Sequence, residues 1–215
     1  MSVSERLLLS ASEDKSIKIW DFPNRKFLTC LTGHKNWIRT SQFSPDERLI
    51  VSGSDDKSIK IWNIERKESF LNFEDHEDLI TSTRFHPQGN IMASSSLDGT
   101  IKLWDLRSRK LIQHYEAHEN GVNQISFHPS GLYIGSVGGD GQMKVWDSRT
   151  GMKSYSFYGH EGKVSSLEFS RDGSYLASGG NDAGILVWNF PVEKRFLEEK
   201  KMENKEFNVI FDNLG

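Results

Sequence analysis

The sequence predicts an all-β chain built by repetition of one unit, and three observations carry that prediction. Five tryptophans, Trp20, Trp62, Trp104, Trp146 and Trp188, stand 42 residues apart without a slip. Other residue types keep the same beat: an Asp six positions before each Trp (Asp14, Asp56, Asp98, Asp140, Asp182) and a Ser ten before (Ser10, Ser52, Ser94, Ser136, Ser178). A His lies 28 before each of the last four, at His34, His76, His118 and His160. Between these markers short apolar segments are punctuated by Pro- and Gly-containing turns, and a fixed period of this length is the signature of a repeat architecture.

Taking one unit in order, an apolar strand starts at Ile38 and ends at Phe43, followed by the turn Ser44–Pro45–Asp46–Glu47. The same layout returns at Phe85–His86–Pro87–Gln88–Gly89, Phe127–His128–Pro129–Ser130–Gly131 and Phe169–Ser170–Arg171–Asp172–Gly173. Proline sets φ for the second turn position and glycine supplies positive φ, so each is a hairpin turn. Glu47 stands where the other repeats have Gly, which predicts strain there. The second strand (Leu49–Ser52, Ile91–Ser94, Tyr175–Ser178) is apolar on both faces, as when sheets stack. The third alternates cleanly, as in Ile59–Lys60–Ile61–Trp62. A fourth follows at Phe27–Leu31, Ser69–Phe73, Ile112–Glu116 and Ser154–Tyr158. Four short antiparallel strands per period describe the blade of a β-propeller.

The phased polar residues form a chemically closed set. Indole N–H only donates, ionised Asp only accepts, and Ser and neutral His do both. A chain Trp→Ser→His→Asp leaves no end unpaired, which suits a buried site. Predicted clasps are therefore His34/Ser52/Asp56/Trp62, His76/Ser94/Asp98/Trp104, His118/Ser136/Asp140/Trp146 and His160/Ser178/Asp182/Trp188. Ser, His and Asp also make hydrolytic triads, but four identical sets capped by Trp, with no strand–turn–helix nucleophile elbow, favour structure over catalysis.

Composition narrows the function. The charge balance of 27 Lys+Arg against 30 Asp+Glu offers no electrostatic footprint for nucleic acid and no like-charge block for a membrane surface. The single cysteine, Cys30, has no partner for a disulfide or zinc site and reads as a small apolar strand residue in a reducing compartment. The periodic histidines belong to different blades and do not converge on a metal. Gly138–Gly139–Asp140–Gly141 is a tight turn and no phosphate cradle, because no helix follows it. The N-terminus lacks the apolar core of a signal peptide, and no segment is long enough to span a bilayer. A soluble, intracellular, non-enzymatic protein with no cofactor, metal or small-molecule substrate is expected.

Gly33–His34, Gly159–His160, Trp20–Asp21, Trp104–Asp105 and Trp146–Asp147 resemble the GH…WD signature of WD repeats, over roughly residues 6–190. Asp75 and Ala117 replace the Gly of that signature, and Asn63 and Asn189 replace its Asp. A narrower resemblance lies in His34–Arg39, Phe43–Ser52, Gln113–Tyr115, Phe169–Arg171 and Ala177–Gly180, which look like the later blades of the centriolar WD-repeat proteins. That resemblance implies a seven-bladed propeller with a C-terminal coiled coil, binding the microtubule wall of centrioles and basal bodies and supporting centriole integrity and ciliogenesis. The alternative is an adaptor propeller recruiting substrates in a ubiquitin ligase or RNA-processing assembly.

Apolar residues at His+4 are followed by the next inward position three residues on, at Ser41, Thr83, Ile125 and Leu167, and that spacing implies a β-bulge. The bulge turns the residues at His+3 and His+5 to the rim, beside the residue preceding each clasp Asp. In WD-repeat propellers these positions form the top binding face. They are Trp37, Arg39, Asp55, Leu79, Thr81, Leu97, Asn123, Lys163 and Asn181, with Glu13 from the first blade. Trp beside Arg is hot-spot composition, and packing of Trp37 between blades is its structural alternative.

The first repeat lacks its Gly-His element and first strand. Residues 1–190 therefore read as four full blades and one partial blade, part of a seven-bladed ring, with a closed five-bladed ring as the alternative. After Trp188 the period stops. Residues 191–215 read as a charged linker, with strand character at 207–211 able to supply a fourth strand to the last blade.

Overall fold

The computed structural model describes residues 2–190 and, as backbone, 209–210. The described residues form strands and turns with no helix. The first sheet has three strands, β1 (Leu7–Ala11), β2 (Ser16–Asp21) and β3 (Lys26–Thr32). The second comprises β4 (Ile38–Phe43), β5 (Leu49–Ser54), β6 (Ile59–Asn63) and β7 (Glu68–Phe73). The third holds β8 (Ile80–Phe85), β9 (Ile91–Ser96), β10 (Thr100–Asp105) and β11 (Lys110–Glu116). The fourth runs from β12 (Val122–Phe127) through β13 (Tyr133–Gly138) and β14 (Met143–Asp147) to β15 (Lys153–Phe157). The fifth contains β16 (Val164–Phe169), β17 (Tyr175–Gly180), β18 (Ile185–Asn189) and β19 (Val209–Ile210).

Each sheet is an antiparallel meander. The innermost strands pack in succession, β1 on β4, β4 on β8, β8 on β12 and β12 on β16. β19 pairs with β18 through Val187↔Ile210 and Trp188↔Val209, so the expected strand at 207–211 is present at 209–210 as the last blade's fourth. The rest of the 191–215 tail, with its linker, lies outside the described residues.

The turn residue Glu47 has φ of 59°, where Gly89, Gly131 and Gly173 have 78°, 76° and 78°. The left-handed conformation costs a non-glycine residue about 1 kcal/mol. Here the carboxylate binds the Ser4 hydroxyl at 2.7 Å and the Ser4 amide, tying the N-terminal segment to the second blade. Cys30, expected as an apolar strand residue, sits on β3 with its side chain exposed.

The core is four clusters, one at each junction between blades. At the first junction Ile17, Ile19 and Leu31 meet Phe43, Ile50 and Trp62 of the next blade. Ile61, Leu71 and Phe73 meet Met92 and Trp104 at the second, and Leu103 and Tyr115 meet Ile134 and Trp146 at the third. Val145 and Phe157 meet Leu176 and Trp188 at the fourth. Each blade thus has a face carrying its Trp, turned to the preceding blade, and a face carrying the residue before that Trp, turned to the following one.

The end blades leave one face each uncovered. Ile59, Ile101 and Met143 are at most 2% exposed, whereas their equivalent Ile185 is 73% exposed. Val187 is 39% exposed against 0% for Val145. At the other end Leu8 is exposed while its equivalents Ile50, Met92, Ile134 and Leu176 are buried. This corrects one expectation: the second strand is buried on both sides in the middle blades, but in the last blade Tyr175 is exposed, because among the described residues no following blade covers it.

These faces make a direct test of where the stability resides. Leu103→Asp and Val187→Asp alter the same repeat position. The first places an unpaired charge in a dry junction and is expected to cost several kcal/mol. The second is expected to change stability by about 0.5 kcal/mol or less. Chemical denaturation of both variants measures the difference, and equal losses would refute the junction assignment.

Candidate protein-interaction face and the clasps beneath it

Each of the last four blades carries the same polar chain. In the second blade Trp62 Nε1–H donates to Ser52 Oγ at 2.8 Å, Ser52 Oγ lies 2.7 Å from His34 Nε2, and His34 Nδ1 lies 2.9 Å from Asp56. The corresponding distances are 2.9, 2.8 and 2.8 Å for Trp104, Ser94, His76 and Asp98. They are 2.9, 2.9 and 2.8 Å for Trp146, Ser136, His118 and Asp140. For Trp188, Ser178, His160 and Asp182 they are 3.2, 2.9 and 2.9 Å. In the first blade Trp20 still donates to Ser10 at 3.1 Å, while Asp14 binds Lys18.

Donor direction sets the imidazole tautomer. Ser Oγ accepts from the indole, so its own proton goes to His Nε2. Nδ1 must then carry the ring proton and donate to the carboxylate. The Asp also accepts from groups the sequence pattern did not flag. Ser58 and Thr100 hydroxyls donate to Asp56 and Asp98 at 2.6 and 2.7 Å. The amides of Lys35, Glu77 and Glu161 donate to Asp56, Asp98 and Asp182. Burial opposes the charge on Asp56, but His34, Ser58 and the Lys35 amide outweigh it and hold the carboxyl well below its usual range. Asp98 is held low in the same way by His76 and Thr100 against its burial.

Two further histidines, read only as turn residues, link the blades. His86 Nε2–H donates to the Gly131 carbonyl of the next blade at 3.1 Å, and His128 Nε2–H to Gly173 at 3.1 Å. Their Nδ1 atoms accept from the amides of Gln88 and Ser130, so these rings carry the opposite tautomer. Each ring stands edge-on to a phenylalanine of the next blade, Phe127 or Phe169, at 5.2 Å. Nothing in the 42-residue pattern marks them beyond their own two-fold recurrence before proline.

Above the clasps, the first strand of each full blade is bulged. The register shifts between Ile38 and Thr40, Ile80 and Ser82, Val122 and Gln124, and Val164 and Ser166. The extra residue is the one at His+5: Arg39, Thr81, Asn123 or Ser165. One backbone bond per blade then joins the residue before the clasp Asp to the residue at His+3. Asp55, Leu97, Gly139 and Asn181 donate to the carbonyls of Trp37, Leu79, Gly121 and Lys163 at 2.8, 3.0, 3.1 and 2.9 Å.

Eight of the ten rim residues converge on one cavity of about 470 Å³: Arg39 and Asp55, Leu79, Thr81 and Leu97, Asn123, and Lys163 and Asn181. Ile80 and Ser165 also line it and were not anticipated. Trp37 and Glu13 are not among its lining residues. Trp37 is 41% exposed, and its ring centroid lies 5.1 Å from the Arg39 guanidinium. Arg39 grips Asp55 with two bonds of 2.8 Å, and Glu13 adds attraction from a distance. Thr81 and Asn123 reach the next blade, donating to the Val122 and Val164 carbonyls at 2.7 and 2.6 Å.

Asp98→Ala strips His76 of its acceptor and is expected to cost about 1–3 kcal/mol, with Trp104→Phe costing less in hydrogen bonding, as read by denaturant midpoints. Burial lowers the pKa of His86, His118 and His128 below 6.5. The unfolded chain then takes protons at a higher pH than the folded one. Their contribution is present above pH 6.5 and is lost as pH falls below it, towards the lowered folded values. The clasp carboxylates, also held low, lose their contribution only at more acidic pH. Thermal melts should fall between pH 7 and pH 5.5, and a flat profile would contradict the assignment.

The family model of the WD domain, G-beta repeat (WD40) matches residues 1–21, 25–63, 67–105, 109–147 and 151–189. These units are offset from the sheets: residues 25–63 hold the outer strand β3 of the first blade and three strands of the second. Nuclear distribution protein PAC1 of Mycosarcoma maydis is 42% identical over 45 residues, which is 21% of this chain and 10% of that protein. WD repeat and SOCS box-containing protein 1 is 44% identical over 41 residues in Danio rerio and 42% over 41 in Homo sapiens. Each of these two alignments covers 19% of this chain, and the chain spans about 10% of the length of the curated relatives it matches. Five matched repeats, covering most of a chain that folds into five antiparallel sheets, place it in the WD40 repeat family.

Proposed function

We propose that this chain is a non-catalytic interaction scaffold of the centriole or basal body, docking on a protein of the microtubule wall through the face that carries Trp37 and Arg39. WD40 repeats are protein-interaction modules, and the observation that carries the reading is the convergence of rim residues from four blades on one cavity. The location rests on the likeness of stretches such as His34–Arg39 and Phe43–Ser52 to centriolar WD-repeat proteins. The uncovered faces at Ile185 and Leu8 accord with further blades completing a seven-bladed ring.

Recruitment of substrates in a multiprotein complex is the second reading. It draws on relatives whose name pairs WD repeats with a SOCS box. A degron adaptor calls for an arginine-rich top face, and among the described rim residues Arg39 stands as the one arginine, neutralised by Asp55.

An aromatic anchor removed from an interface commonly costs at least ~2 kcal/mol, or roughly 30-fold in affinity. Trp37 is exposed, but Arg39→Ala leaves the nearly buried Asp55 carboxylate without its partner, so Trp37→Ala with Arg39→Ala should melt somewhat below the parent while remaining folded. Imaged as a tagged protein in ciliated cells, the double variant should lose basal-body localisation. A diffuse parent protein would favour the adaptor reading. A folded double variant that still reaches basal bodies would move the docking site elsewhere.

A further inference from the structure

A second cavity, of about 430 Å³, adjoins the rim cavity and shares Arg39, Thr81 and Asn123 with it. It continues along the innermost strands β8 and β12 to Ser82, Arg84 and Gln124. Its lining carries two arginines and no carboxylate. Arg39 is already gripped by Asp55 through two bonds of 2.8 Å. Thr81 and Asn123 donate to the carbonyls of Val122 and Val164. The charge left to the cavity is that of Arg84.

Arg84 is a cation short of countercharge. Its side chain is 22% exposed, and among the described residues its guanidinium makes one hydrogen bond, to the Thr83 carbonyl at 3.2 Å. The carboxylate it faces, Glu168 of the fifth blade, stops at 3.8 Å, beyond hydrogen-bond reach. The other oxygen of Glu168 accepts from the Ser126 hydroxyl at 2.9 Å, and the side chain is largely in water. Burial pushes the Arg84 guanidinium below its ordinary value against the pull of Glu168. A guanidinium nevertheless stays protonated, so its charge calls for another anion.

Two neighbours add unspent polar groups. Gln124 Oε1 accepts from the Leu167 amide at 3.3 Å, which fixes the amide's orientation and leaves its NH2 donors for the cavity it lines. Ser82, two residues before Arg84 on the same strand, is 3% exposed, and its hydroxyl has no partner among the described residues. A buried polar group without a partner is uncommon, and an ion in the cavity beside it accounts for it.

We propose that this cavity binds a small phosphate, either the inorganic ion or a monoester, between the Arg84 guanidinium and the Gln124 amide. The planar guanidinium fork offers paired N–H donors to two phosphate oxygens. A phosphate carries about two negative charges near neutral pH, where Glu168 brings one, so it displaces that loose contact. A simple carboxylate would only repeat what Glu168 already supplies. The phosphate site is separate from the docking of a partner on Trp37, which lies outside this lining.

The test titrates the full chain with sodium phosphate, glycerol phosphate or sodium acetate at constant ionic strength. The side-chain N–H resonances of Arg84 and Gln124 are followed by 1H–15N correlation. Phosphate should shift both saturably, and acetate should not. Tighter binding of glycerol phosphate would identify a monoester as the occupant, and tighter binding of phosphate the free ion. Arg84→Gln should weaken phosphate at least roughly tenfold, because a charge-assisted bond is lost. Glu168→Gln keeps an acceptor for Ser126 and removes the competing charge, so it should tighten phosphate about threefold even if Arg84→Gln fails to fold. Equal shifts with phosphate and acetate, or no saturable shift with either phosphate, would overturn the inference. So would a folded Arg84→Gln variant that binds as the parent does, or a Glu168→Gln variant with unchanged affinity.

Discussion

A hydrogen-bond chain that starts at a donor-only group and ends at an acceptor-only group has one satisfactory direction. That constraint organises this molecule. The indole sits on the third strand, the serine on the second, and the carboxylate in the turn between them, while the histidine lies ahead of the first strand. Closing the chain therefore fixes the inner strands of a blade against the segment that enters it. The carboxylate's further bonds to Ser58 or Thr100 and to the amide after the histidine pin that entry segment. The bulge that follows is held in register, and the rim residues are placed by it. An unmet donor or acceptor anywhere along such a buried chain costs about 1–3 kcal/mol, which explains why four residue types keep step together.

Cohesion between blades has a different origin. The junctions are apolar clusters, reinforced by polar ties that advance one blade at a time, from Thr81 to Val122, Asn123 to Val164, His86 to Gly131 and His128 to Gly173. Each junction joins two different faces, so the contact is directional and leaves complementary faces open at the two ends. Val187 and Ile185 show one of them and Leu8 the other.

The blade was legible because its periodic residues are those with the narrowest chemical choice. Trp, Asp, Ser and His declare a chain of donors and acceptors, and the three-residue spacing after His+4 declares the bulge. The rim placement was read from that spacing, whereas the cavity that Arg39, Leu79, Thr81 and Lys163 line was visible only in the structure. Ser165 escaped notice because a small hydroxyl gives no signal of its own, although it holds the same position as Arg39. The inter-blade role of His86 and His128 was not legible, since a histidine before proline in a turn has no visible partner until the next blade's carbonyl is placed beside it. The exposure of Tyr175 and Cys30 was equally hidden, because strand pattern does not reveal which face finds a neighbour.

The directional chain assigns the four clasp rings one tautomer and the inter-blade bonds assign His86 and His128 the other, and long-range 1H–15N correlation of the imidazoles at neutral pH reads tautomers directly. His34, His76, His118 and His160 should carry the proton on Nδ1, with slow exchange and low-field shifts. His86 and His128 should carry it on Nε2. Two populations of opposite tautomer, assigned by single His→Gln substitutions, would establish the clasp as the organising interaction. Nε2–H tautomers or rapid exchange at the four clasp histidines would contradict it.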